Sequence, residues 1–252
     1  MTEALNTSLT TKILGFLEKP GVINGLGFRL WRFSYVLRQR LIPSWRRAKL
    51  VDEEFDRKYG LETGDWINLG RLNIASENLE HGTHYEAVSS ALFGEAIAQI
   101  SEPLDDFIFI DFGSGKGRAL LLATECAFKK VTGVEFSSDL HQVALQNIET
   151  YKRRTGSSKM IESICMDATS YEIPADKGVY YFFNPFDEII LERVINNIET
   201  SLRANPRTVY ILYCNPIHIA VVEKTGFSKI AEGDKFALFK ATAAGQASGR
   251  KL

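Results

Sequence analysis

The stretch Phe107–Arg118, FIFIDFGSGKGR, brings together residue types that can bind a small ligand. A β-prone apolar run ends in an acid, Asp111. Three glycines follow at alternate positions, Gly113, Gly115 and Gly117, with Ser114 between the first two. An apolar helical run, ALLLATECAF, comes directly afterwards. A strand that turns through glycines into a helix N-terminus brings backbone N–H groups close to a ligand, because no Cβ stands in the way. In open α/β sheets this turn, at a strand's carboxyl end, is where nucleotides bind. A phosphate-cradling P-loop needs G-x-x-x-x-G-K-[ST], whereas Lys116 is followed here by Gly117 and Arg118. The dinucleotide fingerprint G-x-G-x-x-G starts well with Gly113 and Gly115 but meets Arg118 at its third position. Asp111 would also repel a pyrophosphate.

Three later strand-like runs end in residues that bear on the same chemistry. VTGVEF closes on Glu135, SICMDAT on Asp167 and Ala168, and VYYFFNPF on Asn184, Pro185 and Phe186. Glu135 lies one β-α-β unit beyond Asp111, and a carboxylate at that strand tip can accept hydrogen bonds from both hydroxyls of a ribose. Asp167 read alone would equally be a helix-capping aspartate.

The pattern D-x-G-x-G-x-G closing a strand, with these acids downstream, resembles the class I S-adenosylmethionine-dependent methyltransferases over about residues 105–241. The resemblance implies S-adenosyl-L-methionine as cofactor, whose sulfonium and ammonium are cationic and which carries no phosphate. It implies that Asp111 with Gly113, Ser114, Gly115 and Gly117 holds the methionyl part, Glu135 the ribose, and Asp167 with Ala168 the adenine. Segments upstream of the glycine motif cover the methionine end or the substrate entrance in this family, which points to Tyr85 and Glu86. Asn184, Pro185 and Phe186 fall where the family holds the group being methylated. Amine methylators often carry [DNS]-P-P-[YFW] there, and this chain has one proline instead of two. In that shorter form it is similar to the non-SET protein lysine methyltransferases. The implied roles are an Asn184 hydrogen bond to a target N–H and a slot lined by Phe186. An oxygen acceptor would need a general base, for which His218 after Cys214-Asn215-Pro216 is the candidate. No cluster of acids and histidines suggests a metal.

Elements that would position these residues are legible from residue 100 onward, where strand and helix alternate as a parallel sheet requires. Strands are expected at 107–111, 131–135, 161–166, 178–183 and 207–213, with helices near 116–128, 138–154, 187–203 and 216–224. FSKIAE and KFALFKA, joined by Gly233-Asp234, read as a terminal hairpin. The expected fold is α/β: a three-layer Rossmann-like sheet of seven strands, mostly parallel with an antiparallel C-terminal hairpin, plus a helical N-terminal appendage. The expected divisions are a basic helical segment 1–50, a cap or linker 51–100 with a helix leading into the core, the cofactor-binding domain 101–241, and a disordered tail 242–252.

Charge is distributed unevenly. Residues 20–51 contain no acid but seven cations, Arg29, Arg32, Arg38, Arg40, Arg46, Arg47 and Lys49. The chain carries −1 overall, so those seven leave the remainder at −8. Leu26, Leu30, Phe33, Leu37 and Leu41 form one helical stripe, which Pro43 is expected to end. Such a helix can pack on the core, lie on an anionic membrane surface through residues 26–49, or, as the least favoured option, contact a nucleic acid. Three cysteines without a C-x-x-C pair, and an N-terminus unlike a secretory signal, lead to the expectation of a cytoplasmic protein. A peripheral contact at the inner membrane surface stays open. Oligomeric state and methyl acceptor are not legible.

Overall fold

Runs rich in Val, Ile, Phe and Tyr form the strands, and residues along each strand alternate between two apolar faces. In the computed structural model, which describes residues 43–64, 67 and 84–241, with side chains from residue 50 onward, these strands make one seven-stranded sheet. The chain runs through α1 (Pro43–Tyr59), α2 (Ser90–Ile97), β1 (Ile108–Phe112), α3 (Arg118–Thr124), β2 (Lys130–Glu135), α4 (Ser138–Thr155) and β3 (Ile161–Cys165). It continues through β4 (Gly178–Phe182), α5 (Glu188–Ala204), β5 (Val209–Cys214), α6 (Ile219–Glu223), β6 (Ser228–Glu232) and β7 (Phe236–Ala241). Sheet order is β3-β2-β1-β4-β5-β7-β6, with β7 antiparallel to both of its neighbours.

Phe109, Val131, Tyr181 and Leu212 face α2, α3 and α4, while Ile110, Val134, Phe182 and Ile211 face α5 and α6. The three layers expected from the alternation are therefore present. Order reverses between β1 and its two neighbours, β2 and β4, which opens a crevice at the carboxyl ends of these strands.

Several boundaries differ from the sequence reading. The helix expected from 116 starts at Arg118, because Gly117 precedes it with a left-handed φ of 86°. Gly233, Asp234 and Lys235 separate β6 from β7, so the hairpin loop has three residues, closed by Gly233 N donating to Phe236 O at 2.9 Å. Pro43 begins a helix: proline is tolerated at a first helical position, where its missing N–H is unneeded. α1 then runs to Tyr59, into the stretch read from sequence as the start of the cap or linker segment.

Contacts divide the chain into units Met1–Leu50 and Val51–Leu252. The first is described only from Pro43, along the opening of α1, and the second holds the sheet. The stripe Leu26–Leu41, the contact surface read at 26–49 and the tail 242–252 lie outside the residues whose side chains are described. No helix among the described residues is long and apolar enough to cross a membrane.

Candidate active site

β1 delivers Asp111 to the crevice, and the chain then turns through Gly113, Gly115 and Gly117 at φ of 80°, 53° and 86°. L-residues avoid this left-handed region, so the alternate glycines are a backbone requirement. Val134 O of β2 accepts from Gly113 N at 2.8 Å and from Ser114 N at 3.2 Å, tying the turn to the neighbouring strand. Space matters as much as φ. A Cβ on Gly113 would stand 2.2 Å from Pro185 Cβ, and one on Gly115 would stand 2.1 Å from Tyr85 Cε2.

Glu135 ends β2 beside the turn and accepts from Gly115 N at 2.7 Å and Ser137 N at 2.9 Å. Burial outweighs those hydrogen bonds and pushes its carboxyl up to about 7. Asp111 is pushed well above the usual carboxylate range, first by burial and then by the charge of Glu135. Each acid is only 3% exposed. Two acids this deep in one site favour a cationic ligand, whose charge offsets the desolvation of the carboxylates and their mutual repulsion.

The crevice holds two adjoining cavities. The first is lined by Tyr85, Glu86, Asp111, Ser114, Glu135 and Tyr181 among others. The second is lined by Met166, Asp167, Ala168, Phe186 and Ile190, and shares Gly113, Phe136 and Pro185 with the first. Ser114 Oγ and Tyr181 OH are, among the described residues, the buried side-chain polar atoms that complete no hydrogen bond. Both line the first cavity. Tyr181's neighbour there is the Cys214 thiol, a weak partner. Buried polar atoms are normally satisfied, and these two are exceptions beside the crevice.

Asp167 caps a short turn, as one of its two sequence readings has it. Its Oδ1 accepts from Thr169 N at 2.8 Å and Thr169 Oγ1 at 2.7 Å, capping the short 3-10 turn Ala168–Ser170, while the residue also walls the second cavity. Asn184 has a left-handed φ of 49°, and its Oδ1 accepts from Tyr213 OH at 3.0 Å. It lines neither cavity, whereas Pro185 lines both. Glu86 lines the first cavity with His84, whose Nε2 is 3.6 Å from Glu86 Oε2. His218 lines neither, and its backbone N donates to Tyr213 OH at 3.4 Å.

The sequence reading missed Lys116 and Arg118, both nearly inaccessible to solvent. Lys116 Nζ pairs with Glu62 at 3.1 Å, and Arg118 pairs with Asp52 and Asp56. His84, Phe136 and Tyr181 were also missed, and no local pattern marks them as cavity walls.

A seven-stranded sheet in this order, with β7 alone reversed and a glycine turn closing β1, is the Rossmann-like sheet expected from the sequence. No family model matches the chain. A stretch of 139 residues is 26% identical to the H3 lysine-79-specific histone-lysine N-methyltransferase of Dictyostelium discoideum, covering 48% of this chain but only 7% of that protein. Among solved structures, an RNA methyltransferase from Salinibacter ruber in complex with S-adenosyl-L-homocysteine aligns at TM-score 0.43 and 14% identity, over 62% of this chain and 92% of the other. The magnesium protoporphyrin IX methyltransferase of Synechocystis with bound cofactor aligns at 0.42 and 14%, over 60% and 76%. The fold assignment rests on the sheet order.

Proposed function

We propose that the chain is an S-adenosylmethionine-dependent methyltransferase whose acceptor is an amine. The observation that carries the reading is the pair Asp111 and Glu135, two buried acids sharing one cavity beside a glycine turn. Lys116 and Arg118 do not offset them, being engaged by Glu62, Asp52 and Asp56. A phosphate ligand would worsen this electrostatic balance, while a sulfonium and an ammonium improve it. The bound cofactor supplies the activated methyl group, and the protein must align and desolvate.

In this reading Asp111 and the turn receive the cofactor's amino-acid end, and Glu135 receives the ribose hydroxyls. Val134, Phe136 and Ile190 give the adenine apolar walls, with Asp167 and Ala168 at its edge. Pro185 stands between the two cavities and Phe186 borders the second. Asn184, whose Oδ1 accepts from Tyr213 OH, is assigned the hydrogen bond from the target N–H. The site's excess of acids favours an amine, and the partial likeness to a lysine N-methyltransferase supports it. The seven cations of residues 29–49 are proposed to meet an anionic membrane surface, to be tested by vesicle co-sedimentation with and without anionic lipid.

Titration calorimetry tests the cofactor. Micromolar binding of S-adenosylmethionine and S-adenosylhomocysteine is expected, with none for NAD and a large loss in Asp111→Ala. Silence from a folded sample sinks the reading. Labelled methyl recovered on lysine or a small amine supports the acceptor class; label confined to a hydroxyl rejects it.

A further inference from the structure

Arg118 is a buried charge that the cofactor reading leaves unused. It is 2% exposed and opens α3 directly after the glycine turn. A lone guanidinium at this depth is costly, and the chain surrounds it with partners. Nη1 lies 3.3 Å from Asp52 Oδ1, Nη2 lies 3.2 Å from Asp56 Oδ1, and Nε donates to Thr63 Oγ1. Its Cζ sits 5.0 Å from the centre of the Phe55 ring.

Thr63 is itself fixed. Its N donates to Asp56 Oδ2 at 2.9 Å and its Oγ1 to Asp56 Oδ1 at 2.6 Å. The Thr63 carbonyl then accepts from the Tyr85 hydroxyl at 2.7 Å. Tyr85 closes the circuit, because its ring fills the space over Gly115. Direct contacts thus run from the glycine turn to Arg118, to Thr63, to Tyr85 and back to the turn. Arg118 and Tyr85 line the first cavity with Asp111 and Ser114, whereas Asp167 and Ala168 line the second.

We propose that Arg118 is a positioning residue for the amino-acid end of the ligand: it clamps residues 52–63 onto the glycine turn and so sets Tyr85 as the wall of that end. This rests on the cofactor reading above. It separates the ligand into two parts, of which the clamp governs one. S-adenosylhomocysteine carries the amino-acid end, and 5′-methylthioadenosine lacks it.

The test is calorimetry of the full chain with both nucleosides, for wild type, Arg118→Gln, Arg118→Lys, Tyr85→Phe and Thr63→Val, with thermal unfolding alongside. Tyr85→Phe removes the hydroxyl's bond to Thr63 O and Thr63→Val removes both bonds of Thr63 Oγ1, and the two decide the matter if Arg118→Gln does not fold. Affinity for S-adenosylhomocysteine is expected to fall about tenfold in Tyr85→Phe, the effect of one such bond, while methylthioadenosine affinity stays within about twofold. Arg118→Lys is expected to recover part of the loss in Arg118→Gln. Equal losses for both ligands, or none for either, overturn the clamp and leave the cofactor reading standing. A wild type that binds neither ligand overturns both.

Discussion

The ring of Tyr85 lies so close to Gly115 that a Cβ on the glycine would stand 2.1 Å from the tyrosine Cε2. Glycine in a ligand-binding turn is commonly explained by the approach of the ligand. Here a protein side chain already occupies the space, and the backbone at φ 53° needs glycine as well. Turn and upstream segment are therefore one packing unit.

Gly115→Ala is expected to destabilise the fold by about 3 kcal/mol, combining overpacking with left-handed strain. Urea unfolding of Gly115→Ala, Tyr85→Ala and the double variant checks this. The double variant should lose less than the sum of the singles, since the clash disappears with the ring. Strict additivity would mean that the two residues do not meet.

Ligand-free stability should fall as pH rises from about 4.5 to about 7. Glu135 moves from 4.5 unfolded to about 7 folded, so across that window the folded state holds a proton that the unfolded chain has released. A shift of this size is on the order of 3 kcal/mol. Asp111, raised first by burial, acts in the same direction. His141, lowered by burial, acts oppositely, so the informative quantity is wild type minus Glu135→Gln. Unfolding between pH 4.5 and 8 should show a shallower decline in the variant; parallel curves would rule out a buried, raised Glu135.

Tyr213→Phe removes the hydrogen bond to Asn184 Oδ1, at a cost of about 1 kcal/mol. Freed from that bond, the Asn184 amide should orient a target less well. Labelled-methyl turnover is expected to drop several-fold while cofactor affinity by calorimetry stays unchanged, and Asn184→Ala should lose turnover more completely. A matching drop in cofactor affinity would assign Asn184 to the cofactor instead.

Arg207 supplies a control remote from the chemistry. It precedes β5, at the opposite end of the sheet, and donates to Pro174 O at 2.6 Å, Asp176 O at 2.7 Å and Asn205 O at 2.7 Å. Arg207→Met leaves these carbonyls without their donor and should cost about 3 kcal/mol in urea unfolding. Cofactor affinity at a temperature where the variant is folded should match wild type.

Asp111, the three glycines and α3 are consecutive in the chain, so strand, turn and helix could be read from local order. The strands through β5 were equally open to reading, because a sheet covered on both faces needs long apolar runs whatever packs on them. The start of α1 at Pro43 was not read from sequence, because proline both ends helices and begins them; the expectation that it ends an upstream helix falls on residues outside those described. The loop between β6 and β7 was counted one residue short, since strand ends depend on cross-strand pairing that local sequence does not state.

By itself the sequence determined the sheet and the presence of an acid-lined glycine turn, because both follow from periodicity and from residues next to one another. The tertiary structure alone decided what the remaining charges do. Arg118 meets Asp52 across 66 residues and Lys116 meets Glu62 across 54, pairing two cations inside the motif with acids of the upstream segment. Asn184 meets Tyr213 across 29 residues in the same way. Polar contacts over such separations leave no period in the sequence: they exist only once burial has brought the strands' carboxyl ends together and made each charge need a partner.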